Sequence, residues 1–240
     1  MPGGCRLGGP IAGHVPGGGA LAYWRLDESG GTDTAVDSAG VLPANHLTAA
    51  TGVPTVEAGK IGNARHFNAS YMSGLASAAC VTATHGSHSL GFWIKTNDFS
   101  GAGITGIKGV LQLAAAADPN VYSSSVQWHA GKELGYGSSD MGNNAGPVFF
   151  AGFENVWVHC VITYNVSLLQ VTTYRNGVSL GSLGLGVSTV NPISPTWFLG
   201  RGQWFAGFNY GDFALDDVWF ESGVYSPSQV LADYNRWRPA

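Results

Sequence analysis

The amino-acid sequence predicts an all-β protein: an antiparallel two-sheet sandwich with one short C-terminal helix and an extended N-terminal arm. Short runs rich in β-branched and aromatic residues recur along the chain, and glycine-rich turns separate them. One stretch near the C-terminus carries the start signals of a helix, whereas residues 1–19 show no periodic pattern. Many short strands with glycine-rich turns are typical of β-sandwiches.

The composition excludes several classes of protein. Hydrophobic residues make up 45% of the 240-residue chain and charged residues 11%, so the chain lacks the low hydrophobicity and high charge of disordered proteins. A net charge of −4 and a pI near 5.9 provide no basic surface, and we expect no nucleic-acid partner. No apolar run approaches the roughly 20 residues that span a bilayer, so we expect no membrane insertion.

Residues 1–19 form the first predicted domain, a Gly/Pro-rich N-terminal arm with three prolines and eight glycines. Such a segment cannot bury enough apolar surface to order itself, so we expect it to pack on the body or on a neighbouring subunit. The arm also lacks the apolar core of a secretory signal, which predicts synthesis in the cytoplasm without export. Cys5 lies in this arm as either a free thiol or an inter-subunit cross-link, because three cysteines cannot all pair within one chain.

Residues 20–240 form the second predicted domain, and its strands follow from local patterns. In the run 155–165, Val158, Cys160, Ile162 and Tyr164 fall on one face of a strand, because side chains alternate between the two faces. Asn176-Gly177 is a strong hairpin signal, since both turn positions need a positive φ. Further predicted strands cover 20–26, 89–96, 168–177, 196–201 and 212–220.

The predicted helix begins at Ser226, a good N-cap residue that precedes a proline. Gln229 completes the spacing of a capping box, in which two side chains satisfy the free backbone amides of the first turn. Val230, Leu231 and Tyr234 then form a narrow apolar stripe that we expect to face the body.

An ordered series of motifs extends over the second domain, and together they are far more specific than any one of them alone. In chain order they are AYWRLDESGGTDTAVDSAG, GKIGNARHFNASYM, HSLGFWIKT, WVHCVITYN, TTYRNGVSLG and FALDDVWFESGVYSPSQVLADY. The series resembles the laminin-G-like, concanavalin A-like jelly roll over roughly residues 20–236. The resemblance implies two packed antiparallel sheets of six or seven strands each. Residues 114–147 fit the pattern poorly, and we expect long loops or an insertion there.

The acidic residues do not match the enzymes of this fold. Its β-glucanase-type members carry an E-x-D-x-x-E motif on one strand, which places two glutamates close together for retaining hydrolysis. That motif is missing here, and the nearest acidic cluster, Asp212, Asp216 and Asp217, contains no glutamate. The resemblance therefore implies a non-enzymatic protein and leaves a divergent glycoside hydrolase as the least favoured alternative.

No motif in the sequence indicates a required cofactor, and calcium is the single candidate ligand. Many laminin-G-like modules bind one calcium ion at the rim through aspartates and backbone carbonyls, which are the hard oxygen ligands that calcium prefers. Asp37 and Asp216 stand at the matching motif positions. The alternative is that both carboxylates accept hydrogen bonds from backbone amides at strand ends.

The segment 200–212 is unusually rich in aromatic residues interleaved with glycines. Trp204, Phe205, Phe208 and Tyr210 lie between two predicted strands. Exposed aromatic rings stack on sugars or anchor protein interfaces, so these four are the candidate residues for glycan or partner contact. If they are buried, they plug one end of the sandwich instead.

These observations favour a structural or adhesive component of a larger assembly over an enzyme. By analogy with the family, we expect a phage virion-surface protein, made in the host cytoplasm, in capsid decoration, a head fibre or a tail fibre. Its arm would contact other virion subunits or copies of itself, and one face would bind a cell-surface glycan. The alternative is a free-standing, extracellular lectin that binds carbohydrate, with or without calcium.

Overall fold

The structure of the protein is a computed structural model that describes residues 19–29, 34–100, 107–118, 121–139, 142–144, 146–204 and 207–236. In chain order its strands are β1 (Ala20–Trp24), β2 (Thr34–Ala35), β3 (Leu47–Thr51), β4 (Thr55–Ala58), β5 (Asn63–Asn68), β6 (Tyr71–Leu75), β7 (His88–Thr96), β8 (Lys108–Ala115), β9 (Tyr122–Trp128), β10 (Leu134–Ser138), β11 (Gly142–Asn144), β12 (Val158–Asn165), β13 (Gln170–Arg175), β14 (Val178–Gly184), β15 (Pro195–Leu199), β16 (Arg201–Trp204), β17 (Gly207–Tyr210) and β18 (Asp212–Ser222). The helices of these ranges are α1 (Ala78–Thr84) and α2 (Pro227–Arg236). Neither is long and apolar enough to cross a membrane.

Two antiparallel sheets account for nearly all of the strands, which confirms the predicted sandwich. The first sheet has the order β14-β13-β12-β7-β18-β5-β4, and β1 pairs with the second half of β18. The second sheet has the order β11-β10-β9-β8-β15-β6-β3-β2. Among the described residues each sheet thus contains eight strands, where the resemblance implied six or seven.

Regular strands occupy much of residues 114–147, where long loops or an insertion were expected. Strands β9, β10 and β11 continue the second sheet outward from β8 as an antiparallel meander. The prediction of long loops was wrong because these strands are built largely from serine and glycine, which local patterns assign to turns. Helix α1 was missed as well, although Ser77 caps it by accepting a hydrogen bond from the Cys80 backbone amide at 3.4 Å.

A large apolar core fills the space between the two sheets. Val158, Cys160, Ile162 and Tyr164 of β12 all belong to it, which confirms the face predicted from their alternation. Val161, on the opposite face of the same strand, belongs to a separate cluster beneath α2. The first sheet is therefore buried on both faces along β12.

Helix α2 covers part of the outer face of the first sheet and begins with the predicted capping box. The Gln229 side-chain oxygen accepts from the Ser226 amide at 2.8 Å, and the Gln229 amide donates to the Ser226 hydroxyl at 3.3 Å. Val230 is fully buried, and Asp233 lies 3.1 Å from the ring of His159 on β12. Leu231, which was expected in the buried stripe, is 45% exposed.

The aromatic-rich segment after β15 folds as a hairpin of β16 and β17, in the register Arg201 to Tyr210. This hairpin lies against β8 of the second sheet through two glycines. A Cβ atom at Gly109 would lie 1.7 Å from the backbone nitrogen of Gly202, so the two backbones touch directly. This contact fixes the hairpin over the second sheet.

Candidate functional site: an aromatic cleft beside the hairpin

The outer face of the second sheet presents aromatic rings next to the hairpin. Trp197 and Leu199 of β15 belong to the central core, so Phe198 between them faces outward. Tyr71 of β6 lies beside Phe198, with 6.1 Å between their ring centroids. Because β6 and β15 are paired in the sheet, this arrangement is fixed by their register.

These two rings form part of a cleft of about 520 Å³, which is within the usual size range of small-molecule sites. We call it the aromatic cleft. The side chains that give it its chemistry are Tyr71, Ser73, Thr196, Phe198 and Arg201.

Arg201, the first residue of the hairpin, is held between the two rings. Its guanidinium carbon lies 4.0 Å from the ring centroid of Phe198 and 4.4 Å from that of Tyr71. The hydroxyls of Tyr71 and Tyr210 lie close enough to the guanidinium to favour its charged form. Burial lowers the pKa of Arg201 below its ordinary value, yet arginine remains charged in proteins. The cleft therefore contains a fixed positive charge bounded by aromatic rings.

Of the four aromatic residues predicted for glycan or partner contact, the structure places one beside the cleft. Tyr210 stacks on Tyr71, with ring centroids 6.1 Å apart and an angle of 30° between the planes. Trp204 and Phe208 belong to the hairpin by their backbone, and their side chains lie outside the described part of the chain. Phe205 lies outside the described residues altogether. The contact role of all four stays a prediction.

Asp37 caps a backbone turn next to β1. One carboxylate oxygen accepts from the amides of Tyr23 and Ala39, both at 2.9 Å. The other accepts from the backbone amide of Asn45 at 2.7 Å and from its side chain at 2.9 Å. A cation at Asp37 would have to compete with these four donors.

Asp216 and Asp217 are buried neighbours in β18. One oxygen of Asp216 accepts from the Ile61 amide at 2.8 Å, and one oxygen of Asp217 accepts from the Tyr23 hydroxyl at 2.6 Å. Burial raises the pKa of Asp216 to about 8 and that of Asp217 to about 7. Asp217 has a φ of 52°, at an irregularity in the pairing of β18 with β7. The remaining oxygen of each carboxyl has no hydrogen-bond partner in the structure.

Within the described ranges, no group of three or more His, Cys, Asp or Glu side chains is arranged to hold a metal ion. Asp37 and Asp216 accept from different backbone segments, near β1 and before β5 respectively. Calcium at these two aspartates stays a prediction. Cys5 lies outside the described residues, and its cross-link is likewise a prediction.

A second, polar pocket of about 570 Å³ lies on the first sheet, where His66, Lys95, Asp98 and Asp212 contribute to its wall. The two ring nitrogens of His66 contact Glu57 at 2.8 Å and Asp212 at 2.5 Å. Burial alone would lower the pKa of His66, but the hydrogen bonds to these two carboxylates raise it above its ordinary value. Positive and negative groups thus neutralise each other within this pocket.

A laminin G family model, described as the concanavalin A-like lectin/glucanases superfamily, matches residues 71–231. The chain belongs to this superfamily. No curated protein matches its sequence.

Several solved structures share the fold of this superfamily member at low identity. The binding domain of Paraclostridial Mosquitocidal Protein 1 is 19% identical, with a TM-score of 0.68 over 91% of this chain and 52% of that chain. A botulinum neurotoxin type C structure, described as dependent on two ganglioside molecules for cell entry, is 12% identical, with a TM-score of 0.64 over 93% and 52%. The binding domain of botulinum neurotoxin DC in complex with SialylT is 12% identical, with a TM-score of 0.62 over 94% and 53%. The chain spans about half the length of these proteins, and identities this low show the fold alone.

The three aspartates considered for hydrolysis do not share one site in this lectin/glucanase-type fold. Asp212 lies in the polar pocket against His66, whereas Asp216 and Asp217 are buried behind it along β18. Their partners are a histidine, a backbone amide and a tyrosine hydroxyl. The described lining of the polar pocket includes Asp212 but neither Asp216 nor Asp217.

Sequence reasoning did not identify Tyr71, Phe198 and Arg201 as site residues. They are up to 130 positions apart in the chain and meet only because β6 and β15 pair and the hairpin folds back over them. One local signal was available for Arg201, because it is the only cation in the aromatic segment 200–212. An arginine among aromatic residues indicates a stacked guanidinium.

Proposed function

We propose that this chain is a non-enzymatic carbohydrate-binding module whose aromatic cleft holds a sugar ring. The observation that carries the proposal is the partly exposed ring of Tyr71 in a cleft that also contains the hydroxyls of Ser73 and Thr196, with the buried ring of Phe198 beneath Arg201 as its floor. Aromatic rings pack against the apolar faces of sugars, and a few placed hydroxyls orient the sugar. A cleft of this size accommodates one or two sugar residues.

The structural relatives support the class of ligand. The cell entry of one of them is described as dependent on two ganglioside molecules, and the binding domain of another is described in complex with SialylT. These descriptions support a glycan as the ligand. Because this chain spans only about half of those proteins, they do not indicate where a glycan would bind on this chain. The binding site is therefore proposed from the aromatic cleft alone.

The test is a glycan array probed with the purified 240-residue chain, once with calcium and once with a chelator. We expect specific, saturable binding that Tyr71→Ala removes. Phe153→Ala is the matched control, because Phe153 also lies beneath an arginine, Arg175 of the first sheet, at 4.3 Å. Binding that survives Tyr71→Ala, or an array without any hit from a folded sample, would reject the cleft as a glycan site.

We propose further that the module acts within a larger assembly, as a phage virion-surface protein of a capsid, head fibre or tail fibre. The support is the composition of residues 1–19, whose glycines and prolines suit an arm that lies across neighbouring subunits. A free-standing extracellular lectin is the alternative. Deleting residues 1–19 separates the two, because loss of assembly in light scattering with retained glycan binding favours the virion protein. Unchanged mass and binding favour the lectin.

A divergent glycoside hydrolase is tested by a screen for hydrolysis of β-glucans. We expect no turnover, because Asp212 pairs with His66 and the other two aspartates of β18 are buried. If the natural chain hydrolyses a β-glucan and Asp212→Asn abolishes this activity, the chain is an enzyme and the proposed binding function is wrong.

A further inference from the structure

The aromatic cleft changes character along its length. One end lies at the ring of Tyr71, the first residue of β6, and Leu75, the last residue of the same strand, also lines the cleft. The two residues are four positions apart in an extended strand, which is roughly 13 Å. Leu75 is 69% exposed, and the exposed side chains of Ala116 and Ala117 also line the cleft. The cleft thus contains an aliphatic surface that is open to a ligand.

A hydroxyl lies within this aliphatic surface. Thr196 of β15 is the direct cross-strand partner of Leu75, so their side chains lie on one face of the sheet with Cβ atoms about 5 Å apart. On the other side of β15 runs β8, which leads into Ala116 and Ala117. The Thr196 hydroxyl donates to the Ser194 carbonyl at 3.0 Å, so its oxygen keeps lone pairs that can accept a hydrogen bond.

Ser73 lies between the two ends of the cleft. It is two residues from Tyr71 and two from Leu75 in β6, so the three side chains share one face of the strand. Its side chain is half-buried and lines the cleft, and its hydroxyl can both donate and accept. From one end to the other, this face therefore presents an aromatic ring, a hydroxyl and an aliphatic side chain.

We propose that the aromatic cleft selects sugars that carry an N-acetyl group, and that the acetyl methyl packs against Leu75. The inference rests on the proposed carbohydrate-binding function and deepens it. In this arrangement the sugar ring packs on Tyr71, as aromatic rings do with apolar faces. The Thr196 oxygen accepts from the amide N–H of the acetyl group, and the Ser73 hydroxyl donates to its carbonyl.

An N-acetyl group fits this end of the cleft better than other sugar substituents do. It presents an amide donor, an amide acceptor and then a methyl group, which match two hydroxyls beside an aliphatic surface. A sugar hydroxyl in its place offers Leu75 no carbon to bury. The methyl group of a deoxy sugar offers the hydroxyls of Ser73 and Thr196 no polar partner, which leaves them without the hydrogen bonds they make with water.

The experiment compares pairs of glycans that differ only in N-acetyl groups, by calorimetry on the full chain. The pairs are chitotriose with cellotriose, N-acetyllactosamine with lactose, and the methyl glycosides of N-acetylgalactosamine and galactose. Burial of one methyl group together with one hydrogen bond predicts a preference of roughly ten- to fiftyfold for the N-acetylated member of at least one pair.

Two outcomes separate this inference from the proposed function. Equal affinities within every pair that binds, or array hits confined to glycans without an N-acetyl group, would overturn the inference and leave the proposed function standing. Binding of no glycan at all would reject the proposed function itself.

Leu75→Ser assigns the preference to the aliphatic surface of the cleft. Because Leu75 is 69% exposed, we expect the variant to fold and the N-acetyl preference to fall roughly fourfold, the share of one buried methyl group. The readout is the ratio of the two affinities, since a general loss of structure would weaken both members of a pair alike. Leu168→Ser is the matched control, because Leu168 is 67% exposed and lies between β12 and β13 of the first sheet.

Thr196→Val removes the acceptor for the amide N–H and keeps the shape of the side chain. Combined with Leu75→Ser, it is expected to bring the two members of a pair to similar affinities. An N-acetyl preference that is unchanged in the folded Leu75→Ser variant, or that Leu168→Ser lowers equally, overturns the assignment. If Thr196→Val does not fold, Leu75→Ser and its control still decide where the methyl group packs.

Discussion

The guanidinium of Arg201 lies 4.0 Å from the ring of Phe198, and this contact joins the β16–β17 hairpin to the face of the second sheet. A single residue, Gly200, separates Arg201 from the end of β15. Gly200 has a φ of 95°, which residues other than glycine rarely adopt. The turn at Gly200 therefore places the Arg201 side chain over Phe198 of β15. The same contact shapes the cleft and positions Arg201 in its wall.

Gly109→Ala is expected to displace the hairpin from the second sheet. Its Cβ would meet the backbone of Gly202 at 1.7 Å, where neither chain can yield without moving. We expect a loss of about 1–3 kcal/mol in the free energy of unfolding, the usual cost of overpacking, together with weaker glycan binding. Chemical denaturation measures the loss of stability, hydrogen exchange over residues 201–210 measures the displacement of the hairpin, and the glycan array measures binding.

Gly86→Ala is the control for this variant. A Cβ at Gly86 would have its nearest neighbour at 3.7 Å, so the same substitution is accommodated there. Equal behaviour of the two variants would mean that the hairpin tolerates displacement from β8 and that the glycine contact does not hold it.

Asp37→Ala is expected to destabilise the protein whether or not calcium binds. Four donors from Tyr23, Ala39 and Asn45 would lose their acceptor, and each buried unsatisfied donor costs about 1–3 kcal/mol. We expect a total loss of about 3 kcal/mol or more, since water replaces some of the bonds. Urea denaturation in the presence of a chelator measures this loss, and a loss below about 1 kcal/mol would contradict the capping role.

Calcium itself is tested by thermal unfolding with and without a chelator. An ion that binds the folded state in hundredfold excess over its dissociation constant raises the free energy of unfolding by about 2.7 kcal/mol. If the calcium prediction holds, this increase disappears in Asp216→Asn, which keeps an oxygen for the Ile61 amide. If calcium has no effect on the natural chain, the prediction at Asp37 and Asp216 is wrong and the aspartates serve as backbone caps.

The sequence was informative wherever structure is decided by nearby residues. The alternation in β12, the Asn176-Gly177 turn and the capping box at Ser226 depend on residues within a few positions of one another, and all three were predicted. The meander of β9 to β11 was not, because buried serines and glycines carry no apolar signal and are held by the strands on either side. The cleft was missed for a related reason: its residues meet only through strand pairing in the second sheet.

Ser226→Ala tests how firmly α2 is held on the first sheet. The substitution removes the hydroxyl that accepts from the Gln229 amide, and such a change at an N-cap costs about 1 kcal/mol. Ser228→Ala in the same turn is the control, because it leaves both bonds of the capping box in place. Urea denaturation of the two variants should differ by that amount. Equal stabilities would show that packing of Val230, and not the cap, sets the stability of the helix.

His88 of β7 is buried between the two sheets, and its ring joins them because it lies 2.5 Å from the Tyr136 hydroxyl of β10. Burial lowers the pKa of His88 to about 4, whereas an unfolded histidine titrates near 6.5. Between these values the unfolded chain binds more protons, so the contribution of His88 to stability is complete above pH 6.5 and falls with the pH until about pH 4.

We expect this titration to remove about 3 kcal/mol from the free energy of unfolding between pH 6.5 and pH 4, at 1.36 kcal/mol for each pKa unit. His88→Gln should remove the His88 contribution, so the change in the free energy of unfolding between pH 6.5 and pH 4 should differ by about 3 kcal/mol between the natural chain and the variant. Urea denaturation from pH 7 down to pH 4 measures the slope for the natural chain and the variant. His85→Gln is the control, because His85 lies on the surface side of the same loop and bonds to the Val190 carbonyl. Identical slopes in the natural chain and His88→Gln would mean that the buried ring is not the group that takes up the proton on unfolding.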